Sequence, residues 1–463
     1  MKQNQKESKN QINRVETTQD NLTGRGGMIL FARYIKSVAI LDILVNFFGH
    51  IRKSSKGISV EKAFKQILCF FYDGTSRHVS HFDVLKGDKG YAAIIETNQE
   101  NMVSQHQVKR FFKMFTWLSG GLFRKVLKKM FLWRLYISKP KIIELTIDTM
   151  VMNNDESQKK HGCQPTYKKV KGFQPLQIIW QGKIVDAIFR GGKKHSNYGN
   201  TVVNMVTDLV KLIRKEYKKE VTIILKSDNG FFSEENFKAF DQLGILFISS
   251  GRIYDNTREM AASIPGDQWQ SYENSHQKWN YAELGYRYSS WGKFYRAIYT
   301  KAVYDSKQMV FDFARSDSFI ITNIGMNPEL LSKLDVYMQA EIQDSAAIIK
   351  RHHQRGADEL PHRGLKDFGS EELPFKRFSP NMAFYYCMLI AFFLFETFKE
   401  DVLQEVVPIG SYATTVRRKV LDFAAKIVKT AGQIVLKVTE STMKDVKFMK
   451  LWERSQMPIP IAA

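Results

Sequence analysis

The chain has 463 residues and a formal net charge of +22, from 69 Lys and Arg against 47 Asp and Glu, so it is too long for one ordinary core and too basic to lack an anionic partner. Nucleic acid is the commonest such partner of a soluble chain, with a membrane surface as the competitor. Its three cysteines, Cys69, Cys163 and Cys387, form neither a disulfide framework nor a zinc-type CxxC pair, which excludes a stapled secreted domain and fits a reducing compartment.

Residues 1–26 are polar throughout, lack the apolar stretch of a secretory signal, and read as a disordered leader. From 27 to 138 apolar residues recur at helical spacing, as in "ISVEKAFKQILCFFYDG" and "SQHQVKRFFKMFTWLSGG", which predicts a helical domain. Within it Ser104 is placed to N-cap a helix carrying Gln105, Gln107, Lys109 and Arg110, side chains suited to base edges and phosphates. An amphipathic helix with a solvated basic face is the alternative for this stretch taken alone.

After "ISKPK" the texture changes to short β-branched runs, "IIELTID", "FQPLQIIWQ" and "KIVDAIFR", then "VTIILKSDNG" and "GILFISSG". Helical patterns lie between the third and fourth runs and between the fourth and fifth. The first three runs are too close for crossover helices and should pair antiparallel, while the helix-linked ones should run parallel. Three strands, helix, strand, helix, strand is the order of a ribonuclease-H-like sheet, assigned here to 139–250. Aromatic alternation over 251–325 reads as a β-rich insertion. Residues 326–400 return to helix, including "MAFYYCMLIAFFLFETF", whose fourteen or so apolar residues fall short of the ~20 needed to span a bilayer. That run is read as a buried core helix, and 401–463 as a helical C-terminal region.

Asp148 closes "IIELTID" and Asp228 closes "VTIILKSD". On neighbouring parallel strands their carboxylates would share the carboxyl edge of the sheet, where open α/β sheets bind ligands. Two acids so close call for a cation between them, and oxygen-only ligands favour Mg²⁺ or Mn²⁺ over zinc. For each taken singly, a strand-ending turn aspartate is the alternative. A third carboxylate is on offer from Asp358 or Glu359 within "HHQRGADELPHRGLK". A zinc site from His352, His353, Glu359 and His362 lacks the HExxH order and any cysteine partner. The basic loops "QKKHGCQPTYKKVKG", with Lys168 and Lys169, and "RGGKKHSN", with Lys193 and Lys194, would flank the acidic edge. A solvated charge run is their default reading, and the net charge favours phosphate contact.

These pieces together resemble the DDE transposases of bacterial insertion sequences, in the IS-four-like superfamily with a β insertion before the glutamate, and are closest to the IS-thirteen-eighty branch. The spacing Tyr, two residues, Arg, three residues, Glu, six residues, Lys is met by Arg355, Glu359 and Lys366, with His352 in the tyrosine's place. "IDTMVM", "KSDNGFF", "FIITNIG" and the apolar helix after the signature resemble further family segments, so the likeness covers nearly the whole chain.

The resemblance implies a retroviral-integrase-like α/β core and phosphoryl transfer at transposon ends. Asp148, Asp228 and Glu359 would be the catalytic metal ligands, holding two Mg²⁺ or Mn²⁺ ions per site. His352, Arg355 and Lys366 would contact phosphates, joined by Lys168, Lys169, Lys193 and Lys194 and by Lys109 and Arg110 of the N-terminal domain. The implied partners are inverted-repeat and target DNA and a second copy of the chain in a synaptic dimer, in the cytoplasm at the nucleoid, with no membrane. A DNA-binding descendant that no longer cuts is the alternative, and a metal-dependent nuclease outside transposition a third. Two departures stand out. Histidine for tyrosine alters reach and charge, and Pro361 forces the helix either to break near Glu359 or to restart with the proline in its first turn.

Overall fold

The computed structural model describes residues 12–52, 56–156, 159–274, 277–304, 317–354 and 359–462, apart from the side chain of Glu359. A short strand β1 (Asn21–Thr23) is followed by the helices α1 (Met28–Ser37), α2 (Ile40–Phe48), α3 (Val60–Asp73), α4 (His81–Gly87), α5 (Lys89–Ile94), α6 (Gln105–Lys113) and α7 (Ser119–Ser138). Their ends follow local chemistry. Ser59 accepts the Lys62 N–H to open α3, and Gly74, at φ 62°, closes it. Ser104 and Gln107 form a reciprocal capping box on α6.

The core strands are β2 (Ile142–Thr149), β3 (Met152–Asn153), β4 (Gln164–Pro165), β5 (Lys171–Phe173), β6 (Leu176–Trp180) and β7 (Lys183–Ile188). They continue through α8 (Thr201–Glu216), β8 (Thr222–Ser227), α9 (Glu234–Gln242) and β9 (Leu246–Ser250). As expected from their spacing, β2, β6 and β7 pair antiparallel, whereas β8 joins β2, and β9 joins β8, in parallel. The β6–β7 hairpin turns on Gln181 and Gly182, at φ 46° and 78°, the paired left-handed geometry a two-residue loop demands. Strands β3, β5 and β4 form a small separate sheet beside the end of β2.

The 251–325 segment opens with a helix, α10 (Asp255–Ala262), before β10 (Gln270–Glu273), β11 (Lys278–Tyr286), β12 (Tyr295–Val303) and β13 (Ser318–Thr322). These strands do not form a separate β unit. β13 pairs antiparallel with β9, giving one nine-stranded sheet in the order β10-β11-β12-β13-β9-β8-β2-β6-β7. The free edge of β9 supplies backbone donors and acceptors that need partners, and β13 takes them.

Next come α11 (Val336–Gln343), α12 (Ser345–His353), α13 (Glu359–Phe368) and α14 (Phe378–Phe398), then α15 (Ala413–Val416), β14 (Ala425–Thr430), β15 (Gln433–Val438), α16 (Glu440–Asp445) and α17 (Phe448–Ser455). Two expectations fail here. The C-terminal region is not helical throughout, because 425–438 is a hairpin turning on Ala431 and Gly432, at φ 49° and 78°. Ile427, Val428, Ile434 and Val435 are β-branched residues beside a two-residue turn, and that local chemistry outweighs the helical spacing of the apolar positions. The leader is likewise not unstructured to its end, since Asn21–Thr23 pairs antiparallel with β14. Residues 1–11 of the leader lie outside the described residues.

Helix α14 is buried as expected, though for a different reason. At 21 residues it is long enough and apolar enough to cross a bilayer, yet 89% of its apolar window is buried inside the protein. Phe71 of α3, Phe112 of α6 and Phe123 of α7 pack on its Phe384 and Tyr386, so the N-terminal helices and α14 share one core. Asn381 on α14 is wholly enclosed and bonds both the N–H (2.8 Å) and the C=O (2.7 Å) of Phe375. Asn381→Ala strands both groups and is expected to cost about 3 kcal/mol in urea unfolding. A cost under about 0.5 kcal/mol would mean the 375 backbone finds other partners.

Candidate active site at the carboxyl edge of the sheet

The parallel register pairs Ile147 of β2 with Ser227 of β8, so the next residues, Asp148 and Asp228, stand at the carboxyl ends of adjacent strands. Neighbouring strands lie about 4.8 Å apart, so the two residues stand side by side at this edge. Each is tied to its own backbone. Asp148 Oδ1 accepts the Thr149 N–H at 2.6 Å, and Asp228 Oδ1 accepts the Gly230 N–H at 2.8 Å, capping the turn 229–231. Both are partly exposed.

Helix α13 supplies the third side of the site. His362 Nδ1 lies 3.8 Å from Asp148 Oδ2, while its Nε2 lies 2.8 Å from Oε1 of Gln177, the strand partner of Asp148. The Gln177 amide is committed to the Tyr385 hydroxyl at 2.7 Å, so its Oε1 accepts from His362 and the bare Nδ1 faces Asp148. Burial, then the cations of Lys366 and Lys168, push this imidazole down to about 4, so at neutral pH the contact with Asp148 is not an ion pair. Glu359 opens α13 one turn before His362, and the i, i+3 spacing puts the two positions on one helix face. Pro361 sits in the first turn of α13, where its missing N–H costs nothing.

The remaining expected residues spread around this edge. Lys366, one turn past His362, bonds Glu371 at 2.9 Å. Lys168 and Lys169 are exposed on the loop before β5, with Lys168 close enough to act on His362. Lys193 is exposed, and Lys194 Nζ sits 3.4 Å over the Tyr198 ring. Their loop packs on the Asp228 turn, since a Cβ at Gly230 would come 2.8 Å from Ser196 Oγ. Lys109 bonds Gln105 at 2.9 Å and Arg110 is exposed, both on α6. Gln107 has its Oε1 taken up in the capping box, where it accepts the Ser104 N–H at 2.8 Å. A groove of about 760 Å³ joins Lys109 to Lys160, Glu371 and Lys376, leading from α6 to the acid that Lys366 bonds.

Arg355 and Asp358 fall outside the described residues. His352 lies in the last turn of α12 beside β9, with Nε2 2.9 Å from Ser250 Oγ. His353 packs against Trp279 with ring centroids 4.6 Å apart and the planes tilted by 48°, and burial lowers its pKa. Among the described residues His362 is thus apart from the other two histidines of the segment, and no group of three or more His, Cys, Asp or Glu gathers to hold a metal. The oxygen donors Asp148 and Asp228 suit a hard divalent cation, with Glu359 as the third candidate ligand.

The model of the family described as transposase DDE domain, group 1, matches residues 5–457. The chain belongs to this DDE transposase family. It is also similar to the solved piggyBac transposase synaptic complex with hairpin DNA, determined by cryo-EM, at 12% identity and a TM-score of 0.42, over 87% of this chain and 81% of that one. No curated protein matches.

Sequence reasoning missed the contacts of His362 with Asp148 and Gln177. The signal was available, since "ELPH" sets glutamate and histidine three apart on one helix face, but proline inside it suggested a break. Gln177, one residue in an apolar strand, carried no signal of its own.

Proposed function

We propose that the chain is an active DDE transposase that cleaves DNA at transposon ends and joins the freed 3′-hydroxyl to target DNA. The observation that carries this is the adjacency of Asp148 and Asp228 at the ends of parallel β2 and β8, with α13 beside them. The strand order around them supports reading 139–250 as the first part of a ribonuclease-H-like, retroviral-integrase-like core, with the remainder in 326–400.

In this reading Asp148, Asp228 and Glu359 hold two divalent ions, Mg²⁺ or Mn²⁺. Bound there, the ions make water or a 3′-hydroxyl a better nucleophile and neutralise charge on the departing 3′-oxygen. One P–O bond forms as the opposite one breaks, and the proton of the attacking hydroxyl passes to solvent. Neutral His362, fixed by Gln177, packs beside Asp148 without adding charge to the site. Lys168, Lys193 and Lys194 hold phosphates beside the site, with His352, Arg355 and Lys366 flanking it. The basic face of α6, through Lys109 and Arg110, takes the transposon-end duplex, and two copies of the chain synapse two ends.

The test is cleavage of a labelled duplex carrying the element's inverted repeat, with Mg²⁺ or Mn²⁺ and with chelator, comparing wild type with Glu359→Gln. Cutting should need metal and fall about a hundredfold or more in the variant. Metal-dependent cutting that survives Glu359→Gln would assign the third ligand elsewhere. Tight binding without cutting by wild type would favour the DNA-binding descendant.

A further inference from the structure

Arg190, two residues past the end of β7, is 5% exposed and has no carboxylate partner among the described residues. Its Nε donates to the Gln174 carbonyl at 3.1 Å, and Nη1 makes only long contacts, 3.5 Å to the Ser196 carbonyl and 3.4 Å to Thr201 Oγ1. Nη2 is enclosed with no partner at all. Burial lowers its pKa to about 10, which still leaves it charged at neutral pH.

Arg33 and Arg454 also have an enclosed nitrogen with no partner, but each pairs with an acid, Glu96 and Glu405. Arg124 and Arg134 pair with acids, and Arg417 donates to three carbonyls at 2.8 Å. A buried cation left without a counter-charge is costly, and such groups mark anion sites.

The guanidinium lies under the N-terminus of α8, a helix of 16 residues whose N-cap residue, Asn200, makes no side-chain cap. Open first-turn N–H groups and the helix dipole favour an anion there. The place is next to the carboxylates, because the loop leading into α8 packs on the Asp228 turn, where Asn236 Nδ2 donates to Asn197 Oδ1 at 2.9 Å. Lys193 and Lys194 lie on the same loop.

We propose that the first turn of α8, with Arg190 beneath Thr201, is a phosphate-binding site that seats a DNA backbone phosphate next to the Asp148–Asp228 edge. This rests on the DNA-cutting reading above and adds a residue to its substrate grip. The first-turn amides and Nη1 of Arg190 are the donors, since the Thr201 hydroxyl already donates to the Tyr198 carbonyl at 2.7 Å, and the long contacts of Nη1 leave it able to turn to the phosphate.

The experiment is binding of a fluorescent random-sequence duplex by the full chain as KCl rises from about 50 to 300 mM, a range over which phosphate contacts dominate. Arg190→Gln should weaken binding about tenfold and lower the log–log salt slope by about one, while Arg190→Lys keeps the slope. Asn200→Asp, which caps α8 and puts a carboxylate in the seat, should weaken binding with Tm equal or higher. Should Arg190→Gln not fold, Asn200→Asp decides. Wild-type slopes in the variants would overturn the site while leaving the transposase reading intact. A wild type that binds no DNA would overturn both.

Discussion

Asp148→Asn and Asp228→Asn should each reduce DNA cleavage about a thousandfold or more, the several kcal/mol that a positioned ion contributes to an in-line displacement. Asparagine is the right probe because it keeps an Oδ1. The Asp148 bond to Thr149 N and the Asp228 cap on Gly230 both survive, so the fold is not the variable. In metal-free buffer Tm should not fall, since each change removes one of two like charges. Mg²⁺ at about a hundred times its Kd should stabilise wild type by about 2.7 kcal/mol and the variants by much less. If both variants cut normally, the catalytic acids are elsewhere. If they lose cutting but keep the full Mg²⁺ stabilisation, the ion sits at another site.

The second large effect concerns stability. Asp186 on β7 is fully enclosed, receives two bonds of 2.8 Å from Arg124, and lies 3.3 Å from Lys128, both on α7. Asp186→Ala leaves two half-buried cations facing each other with only the exposed Asp208, 3.9 Å from Arg124, as an acid, and should cost about 3–5 kcal/mol. The readout is the urea midpoint at constant m. A loss below about 1 kcal/mol would rank the cluster with solvent-exposed ion pairs. Replacing all three residues by apolar ones of similar volume should recover most of the loss, because the pair's net worth is small once desolvation is counted.

Much of the sheet was legible because its signals are local. The short gaps among "IIELTID", "FQPLQIIWQ" and "KIVDAIFR" dictate antiparallel pairing, and "QG" dictates the β6–β7 turn. Asp148 and Asp228 were found because each ends a strand run, and the parallel register then sets them side by side. What escaped depends on distant partners. Nothing in "SFIIT" says that β13 will complete the edge of β9, and nothing in "AKIVK" says that an N-terminal strand awaits it. Arg190 reads as one more basic residue in a basic loop. Its distinction, an enclosed guanidinium with an unpartnered nitrogen and no acid beside it among the described residues, exists only once the loop has folded over it.

The pairing of Asn21–Thr23 with Ala425–Ile427 has a consequence for synthesis. Roughly four hundred residues separate the two strands, so on a ribosome working at about 5–20 residues per second the first waits some 20–80 s for the second. For most of that interval, until Phe378–Phe398 emerges, the N-terminal helices lack the apolar rod that fills their centre. Message truncated anywhere before codon 425 yields a product without its closing strands, and therefore one that proteases should clear before it can occupy a DNA end. Only the completed polypeptide can bring its last strands back to close the first.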